Sequence, residues 1–425
     1  MRHSIQAMIG ARNAYIVPGE VDEQDVLLSL EMKLPLFCGD LVQMQFATLR
    51  SGAKRIFELS DIPVPPSRYD IGTSDQFFES LGKLILSELL VNTWIFKVDT
   101  EKSGKGMATI NLSDMKYLNH LRNNYDSISP DNIHVLMEEL RKEVPAKVKI
   151  PTVFESWEAY LALFCAKHGV IEATPLVESS KITPFCVTFT IQPDGEIAEI
   201  SAFDRYQVDH NTAEGHLYPQ QSLKGLNIEL LVNSLGKTLY QRKGVWGFIK
   251  VDLIAFPDPM MNGEELFWAL DLSAGLSVYD VSARLFDCLL FGEFDLVRKQ
   301  YLISTEDESA LVEDISRCYF MCERIIHSGL SAKGLSVFLA ACEEANLVFD
   351  SRKKVGVLLL PYDDLASNVL GLMVVGASKG ECRRLMSRAL NTIDSVLNPK
   401  GRLSELQASY DEKSSLMSIV KNLSL

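Results

Sequence analysis

A chain of 425 residues that is 47% hydrophobic and 23% charged has enough apolar material for two or three globular domains. Its 56 acidic residues outnumber its 42 basic ones, and the formal charge of −14 argues against a general nucleic-acid or membrane-surface binder, which would carry a basic face. No apolar run reaches the ~20 residues that span a bilayer, and Met1 to Arg12 lack a signal peptide's long apolar stretch, so a cytoplasmic setting without membrane contact is expected.

In chain order, residues 13–19 read as a strand closed by a Pro18-Gly19 turn. Residues 22–33 read as a helix with Asp22 as N-cap, and 34–38 as a second short strand. Residues 46–60 are helical and stop before Ile62-Pro63-Val64-Pro65-Pro66, where proline forbids helix. Residues 76–90 form an amphipathic helix. This βαβα order is part of an open α/β layer with too few strands for a whole domain, so the chain is expected to begin partway into a larger parent.

From Asn92 the pattern changes to strands. Residues 94–97 and 107–111 flank a polar loop, 131–142 and 157–167 are helices, and 169–172 is a strand. Residues 184–192 alternate with a β period, Pro193-Asp194-Gly195 signals a turn, and 197–205 completes the hairpin. A helix at 227–241 and strands at 247–256 and 266–272 follow, then helix from 279 to about 294. The charged residues 304–309 read as a linker. Helices at 311–326 and 334–345, strands at 356–361 and 369–375 and a helix at 380–397 make a small α-β-β-α unit. The fold class is therefore α+β with an α/β N-terminal part. Its expected parts are 1–75, 76–300 and 301–400, followed by a mobile tail at 401–425.

Lys97 ends an apolar strand, where lysine is depleted unless its charge has a partner. The loop after it carries Ser103, Gly104, Lys105 and Gly106, and glycines let backbone N–H groups approach an anion. The segment reads either as a nucleotide-phosphate clamp or as a hairpin with a surface lysine and a glycine turn. The order of parts adds to the first reading. Arg50 lies near the start of the helix before Ile62-Pro63, Glu172 ends a strand, and Asp252 and Asp271 lie on two late strands. An ATP-dependent ligase needs two cations on the triphosphate, a loop over it, a strand edge for adenine and two carboxylates for Mg²⁺, because hard cations take oxygen ligands. Taken singly, Asp252 and Asp271 also read as ordinary strand-end acids.

With these parts in this order, the chain resembles the ATP-grasp superfamily over about residues 13 to 280. Ala53-Lys54-Arg55-Ile56-Phe57 and Ile62-Pro63-Val64-Pro65 look like its linker helix and proline ending, and Gly169-Val170-Ile171-Glu172 like its adenine hinge. Val251-Asp252-Leu253-Ile254 and Ala269-Leu270-Asp271-Leu272-Ser273 look like its metal-ligand strands. The resemblance implies a two-lobed fold with a partial pre-ATP-grasp layer, and ATP and Mg²⁺ as cofactors. It implies nucleotide contacts from Arg50, Lys97, Ser103, Gly104, Lys105, Gly106 and Glu172, and metal contacts from Asp252, Asp271 and Ser273. An active member would activate a carboxylate as an acyl phosphate for attack by an amine or thiol. Tyr15-Ile16-Val17-Pro18-Gly19, residues 154–175 and Val251-Asp252-Leu253 with Asp258-Pro259 further resemble a ciliary, sperm-associated, IQ-domain branch of the superfamily. That likeness implies placement in a cilium or flagellum axoneme and axonemal proteins as partners.

Catalytic members close their site with Glu-x-Asn-x-Arg, where this chain has Asp271-Leu272-Ser273-Ala274-Gly275. Aspartate reaches one methylene less far, serine is a weaker Mg²⁺ ligand than an Asn carbonyl, and glycine cannot replace a cation that stabilises developing charge. The expectation is an ATP-Mg²⁺-binding protein that is degenerate or weakly active, with an active ligase and a nucleotide-free scaffold as alternatives.

Other features weigh less. Ile5-Gln6 resembles the start of a calmodulin-binding IQ motif, but Gly10 and Tyr15 stand where its basic residues belong, so calmodulin is not expected through this chain. His210 and His216, near Asp209 and Glu214, read as a metal site or, preferably, as a solvated polar loop. Arg352-Lys353-Lys354 reads as a solvated turn. The eight cysteines include no CxxC pair and are expected to be reduced and buried, with Cys318 and Cys322 sharing a helix face.

Overall fold

The computed structural model describes residues 2–10, 12–101, 104–124, 132–209, 212–223, 227–259, 264–295, 298–304, 314–326, 329–361 and 368–397. The tail at 401–425 and most of the linker at 304–309 lie outside them. The chain forms two compact units, residues 1–200 with 225–277, and residues 201–224 with 278–425. These cuts differ from the boundaries at 75 and 300 expected from the order of elements. No helix among the described residues is long and apolar enough to cross a membrane.

At the start of the first unit, the expected strands 13–19 and 34–38 reduce to one parallel bridge, Ile16 with Leu36. Pro18 and Pro35 lack the N–H groups that would extend a ladder. Helix Glu23–Met32 forms as expected, with Asp22 accepting from Gln24 N and Asp25 N in a full capping box. The expected helix 46–60 is two helices, Leu41–Thr48 and Arg50–Leu59, broken where Leu49 turns extended at ψ 146°. The break lets Phe46 O close on Gly52, where a Cβ would sit 1.9 Å from that oxygen. Arg50 thereby becomes the first residue of the second helix.

A four-stranded antiparallel sheet runs in the order Ser67–Ile71, Gly169–Ala173, Thr93–Lys97, Met107–Asn111. Strand Ser67–Ile71 was not expected, because Ser-Arg-Tyr-Asp-Ile shows no apolar alternation. In Thr93–Lys97, Trp94 and Phe96 face one side and Ile95 and Lys97 the other. The aromatic side packs under helices Ser74–Ser87 and Trp157–Ala166, with the Phe77 ring 4.9 Å from Phe96 and 5.3 Å from Phe164. Such ring pairs add about 0.5–1.5 kcal/mol each beyond area burial. A second antiparallel set joins Thr183–Ile191, Gly247–Pro257 and Glu265–Ala274. Helix Arg50–Leu59 touches both Gly169–Ala173 and Glu265–Ala274, so residues on one of its faces reach both sheets.

In the second unit, residues 314–326 are a strand, Asp314–Ile326, and not the expected helix. Its apolar run is continuous because both faces are covered. Cys318, Phe320 and Cys322 enter one core, while Tyr319 packs 4.9 Å from Phe286 on the other side. A short unbroken apolar run does not reveal its period. Cys318 and Cys322 still share a face, now through the strand's repeat of two. The expected α-β-β-α set is therefore β-α-β-β-α, continuing with Leu335–Glu344, Gly356–Leu360, Val369–Gly376 and Lys379–Leu397. Helix Val278–Leu290 ends earlier than expected and is followed by strand Glu293–Asp295. All eight cysteines are free thiols.

Candidate functional site

Strand register builds the site. Ile95 lies opposite Glu172, and Lys97 opposite Val170, so Lys97 and Glu172 point to the same sheet face on adjacent strands. Their charged ends meet as an ion pair in a place where Lys97 is 2% exposed and Glu172 1%. Lys54, fully buried, approaches the other carboxylate oxygen from helix Arg50–Leu59, with Nζ 2.9 Å from Glu172 Oε2 and 3.4 Å from Ala269 O. Arg50, four residues earlier on the same helix face, pairs with Asp271 and donates to Glu101 O at 3.1 Å. Lys97 Nζ is 3.6 Å from the same Asp271 oxygen, Oδ2. The other oxygen, Oδ1, is buried and has no hydrogen-bond partner among the described residues.

Asp252 and Asp271 are register partners, as are Lys250 and Ser273, so all four share one face beside a β-bulge. The Asp252 carboxylate is held by Lys250 Nζ at 2.9 and 3.1 Å. The field is strong. Burial pushes the Asp271 and Glu172 carboxyls up, but the neighbouring cations outweigh it, lowering Glu172 and holding Asp271 well below the usual carboxylate range. For Asp271 these are Arg50, Lys97 and Lys54, and for Glu172 they are Lys54 and Lys97. Burial pushes the Lys54 ammonium down, with Glu172 opposing it only in part. A cation at a helix N-terminus opposes the helix dipole. Here Asp99 compensates, accepting from Ser51 N at 2.7 Å and Ser51 Oγ at 2.9 Å.

Of the expected residues, Arg50, Lys97, Glu172 and Asp271 come together, and Asp252 and Ser273 lie on the same strand pair. Two expectations change. Strand Gly169–Ala173 is flanked on both sides by other strands, so it offers adenine no free edge, and the Glu172 side chain binds lysines. The glycines serve a closed hairpin. Met107 N donates to Gly104 O at 3.1 Å and Val98 N to Gly106 O at 3.0 Å. Gly104 has φ +77°, and a Cβ at Gly106 would stand 2.4 Å from Glu101 Cβ. Ser103 lies outside the described residues. Lys105 is exposed and lines a cavity of about 540 Å³ with Thr48, Leu49, Asp99 and Glu101, next along the chain to the cluster. Among the described residues no group of three His, Cys, Asp or Glu is placed to hold a metal. Two carboxylates with one unpartnered buried oxygen suit Mg²⁺, which takes one or two protein carboxylates plus phosphate oxygens.

A family model described as IQCH-like, ATP-grasp matches residues 42–297. The chain belongs to this family. A relative, IQ motif-containing protein H of Danio rerio, is 26% identical over 405 residues, covering 92% of this chain and 37% of that protein. The chain thus spans little more than a third of that relative's length. Biotin carboxylase from Campylobacter jejuni, solved with β,γ-ATP, matches at 13% identity and TM-score 0.52 over 93% of this chain and 80% of its own. N5-carboxyaminoimidazole synthase from Aspergillus clavatus, solved with ADP and 5-aminoimidazole ribonucleotide, matches at 10% identity and TM-score 0.51 over 93% and 85%. At these identities the likeness shows the ATP-grasp fold.

Against this IQCH-like ATP-grasp frame, sequence reasoning missed Lys54 as a site residue. Its signal was its place four residues after Arg50, on the side carrying Ala53 and Phe57. His216 is also corrected. It lies on strand Thr212–Tyr218, fully buried, with Nδ1 3.1 Å from Glu323 Oε1 and Nε2 2.9 Å from Ser282 Oγ, and is neither a solvated loop residue nor part of a metal group. His210 lies outside the described residues.

Proposed function

We propose that this IQCH-like ATP-grasp chain binds Mg²⁺-ATP at the Arg50–Lys97–Asp271 cluster and has lost most of its ligase activity. The observation that carries the reading is Asp271, which is held by two cations through Oδ2 and keeps a buried Oδ1 with no hydrogen-bond partner among the described residues. Asp271 and Asp252 would hold the metal, with Ser273 beside them, and Arg50, Lys97 and Lys105 would take phosphate oxygens. Bound Mg²⁺ would supply positive charge between those oxygens. Lys54 shares the Glu172 carboxylate with Lys97, one cation on each oxygen.

The loss of chemistry is supported by Gly275. Its φ is +131°, and a Cβ there would lie 1.5 Å from Gly19 O, so the arginine of the Glu-x-Asn-x-Arg pattern has no room. Removing one such charge-stabilising group costs about 3–4 kcal/mol of transition-state stabilisation. The family resemblance further supports a ciliary or axonemal setting. The charge of −14 favours other proteins over the acidic microtubule exterior as contacts, with no nucleic acid, membrane or calmodulin partner through this chain.

Titration calorimetry with ATP, with and without Mg²⁺, tests the reading. Saturable binding that needs Mg²⁺ and disappears in Lys97→Ala and Asp271→Asn, with thermal unfolding measured on each variant, is the expected result. No response at millimolar ATP in wild type and variants alike removes the nucleotide claim. It would favour a nucleotide-free scaffold, a reading consistent with Arg50 and Lys97 already being neutralised by Asp271 and Glu172. Robust ADP release abolished by Asp271→Asn would instead make the chain an active ligase.

A further inference from the structure

Spacing sets Cys318 beside Cys322, but the fold sets it against a cysteine 64 positions further along, Cys382 of helix Lys379–Leu397. Their sulfurs are 3.5 Å apart, both side chains are buried, and both thiols are free. Gly376 is the register partner of Cys318 on strand Val369–Gly376. A Cβ at that glycine would stand 3.1 Å from Cys382 Sγ and 3.2 Å from Cys382 N, so its missing side chain leaves room for the helix to bring its thiol to the strand. The carbonyl contacts of the two thiols are long, 3.7 Å from Cys318 Sγ to Gly376 O and 3.4 Å from Cys382 Sγ to Cys318 O. A thiol is a weak donor, so such contacts leave both sulfurs free to turn. A disulfide bond is about 2.05 Å long, so each sulfur has to move by less than about 1 Å to form one.

The two thiols differ in access. A cavity of about 470 Å³ in the second unit is lined by Ser316, Arg317 and Cys318 of the strand and by Ala377 and Ser378 of the turn into the helix. Small oxidants therefore have a path to Cys318, while Cys382 is fully buried. Arg317 is fixed on the same lining, donating to Ser316 O at 2.9 Å, Lys353 O at 2.8 Å and Lys354 O at 3.0 Å, and it interacts electrostatically with Cys318. A neighbouring guanidinium favours a thiolate, the form that attacks an oxidant. Cys382 is the opposite case. Its contact with Cys318, its burial and the nearby Glu381 carboxylate push its thiol up, so it stays protonated. One thiol on a cavity wall and one protected thiol beside it match an attacking and a resolving cysteine.

We propose that Cys318 and Cys382 form a peroxide-responsive disulfide site that ties strand Asp314–Ile326 to helix Lys379–Leu397. The Cys318 thiolate attacks one oxygen of hydrogen peroxide and breaks the O–O bond. Cys318 becomes a sulfenic acid, and the departing hydroxide takes up the thiol's proton as water. The Cys382 sulfur then attacks the sulfenic sulfur. The S–S bond forms, and the sulfenic oxygen leaves as a second water with the Cys382 proton. Two thiols are oxidised and one peroxide is reduced. The claim is independent of the nucleotide reading. The test uses the full chain with the exposed Cys288 replaced, Cys288→Ser, to prevent links between chains. It is treated with hydrogen peroxide in the native state, denatured in an alkylating reagent and digested without reductant. Mass spectrometry should find a Cys318–Cys382 peptide pair that dithiothreitol separates, and the oxidised chain should melt about 5 °C above the reduced one. Cys322→Ala should still form the link, and Cys382→Ala should leave a Cys318 sulfenic acid that dimedone traps. Recovery of both Cys318 and Cys382 as alkylated thiols, a link that forms only in urea, or Cys318 linked equally to Cys322 would overturn the proposal.

Discussion

The two units handle charge in opposite ways. The cavity in the first is lined by Glu20, Asp22, Asp99 and Glu101 against Lys105, while that in the second is lined by three cations and no acid among the described residues. Yet the first unit also holds Arg50, Lys54 and Lys97, withdrawn from the open space and paired with Asp271 and Glu172. A charge that lies near a recess in sequence therefore need not line it.

Glu172→Gln breaks the comparison hardest. It leaves Lys54 and Lys97 buried without their shared carboxylate, and should cost about 3–5 kcal/mol in urea unfolding at neutral pH. The same pair of acids sets a pH dependence. Because cations hold the Glu172 and Asp271 pKa values below their ordinary 4.5 and 3.8, their contribution is complete above that range. It is lost progressively as pH falls through and below it. Wild type should weaken from about pH 4.5 downward, and Glu172→Gln should show a shallower slope. Parallel slopes would mean the cluster does not govern acid stability.

Gly275→Ala comes next, at about 2–3 kcal/mol, since the new Cβ meets a backbone oxygen at a positive φ. Arg317→Lys sharpens the other side of the comparison. It keeps the charge but loses the fork on three carbonyls, costing about 1–2 kcal/mol by chemical denaturation. A larger loss than for Glu172→Gln would invert the contrast between the units. Lys83→Ala, which breaks only an exposed pair with Glu79, should change stability by less than about 0.5 kcal/mol.

Much of this was legible in the chain. Thr93–Lys97 announced itself through β-formers ending in a lysine, and the order of Arg50, Lys97, Asp252 and Asp271 pointed to one site. What was hidden depended on distant contacts. Lys54 sits in Ala53-Lys54-Arg55, within the expected helix, and its role emerges only once Gly169–Ala173 and Glu265–Ala274 close over it. Strand Asp314–Ile326 hid because its two faces are both covered, and strand Ser67–Ile71 because its residues are mostly polar. The glycine loop invited a phosphate reading, whereas Gly106 answers a local packing need against Glu101.

The contact between Gly275 and Gly19 also constrains how the site could change in future. Restoring a side chain at 275 would force the backbone around Gly19 aside, and Leu276 N would lose its bond to Pro18 O, 3.2 Å away. Single replacements there should be purged for folding before any catalytic benefit could be selected. The Pro18–Glu20 segment thus works as an evolutionary latch, and a route back to chemistry would have to remodel that segment first.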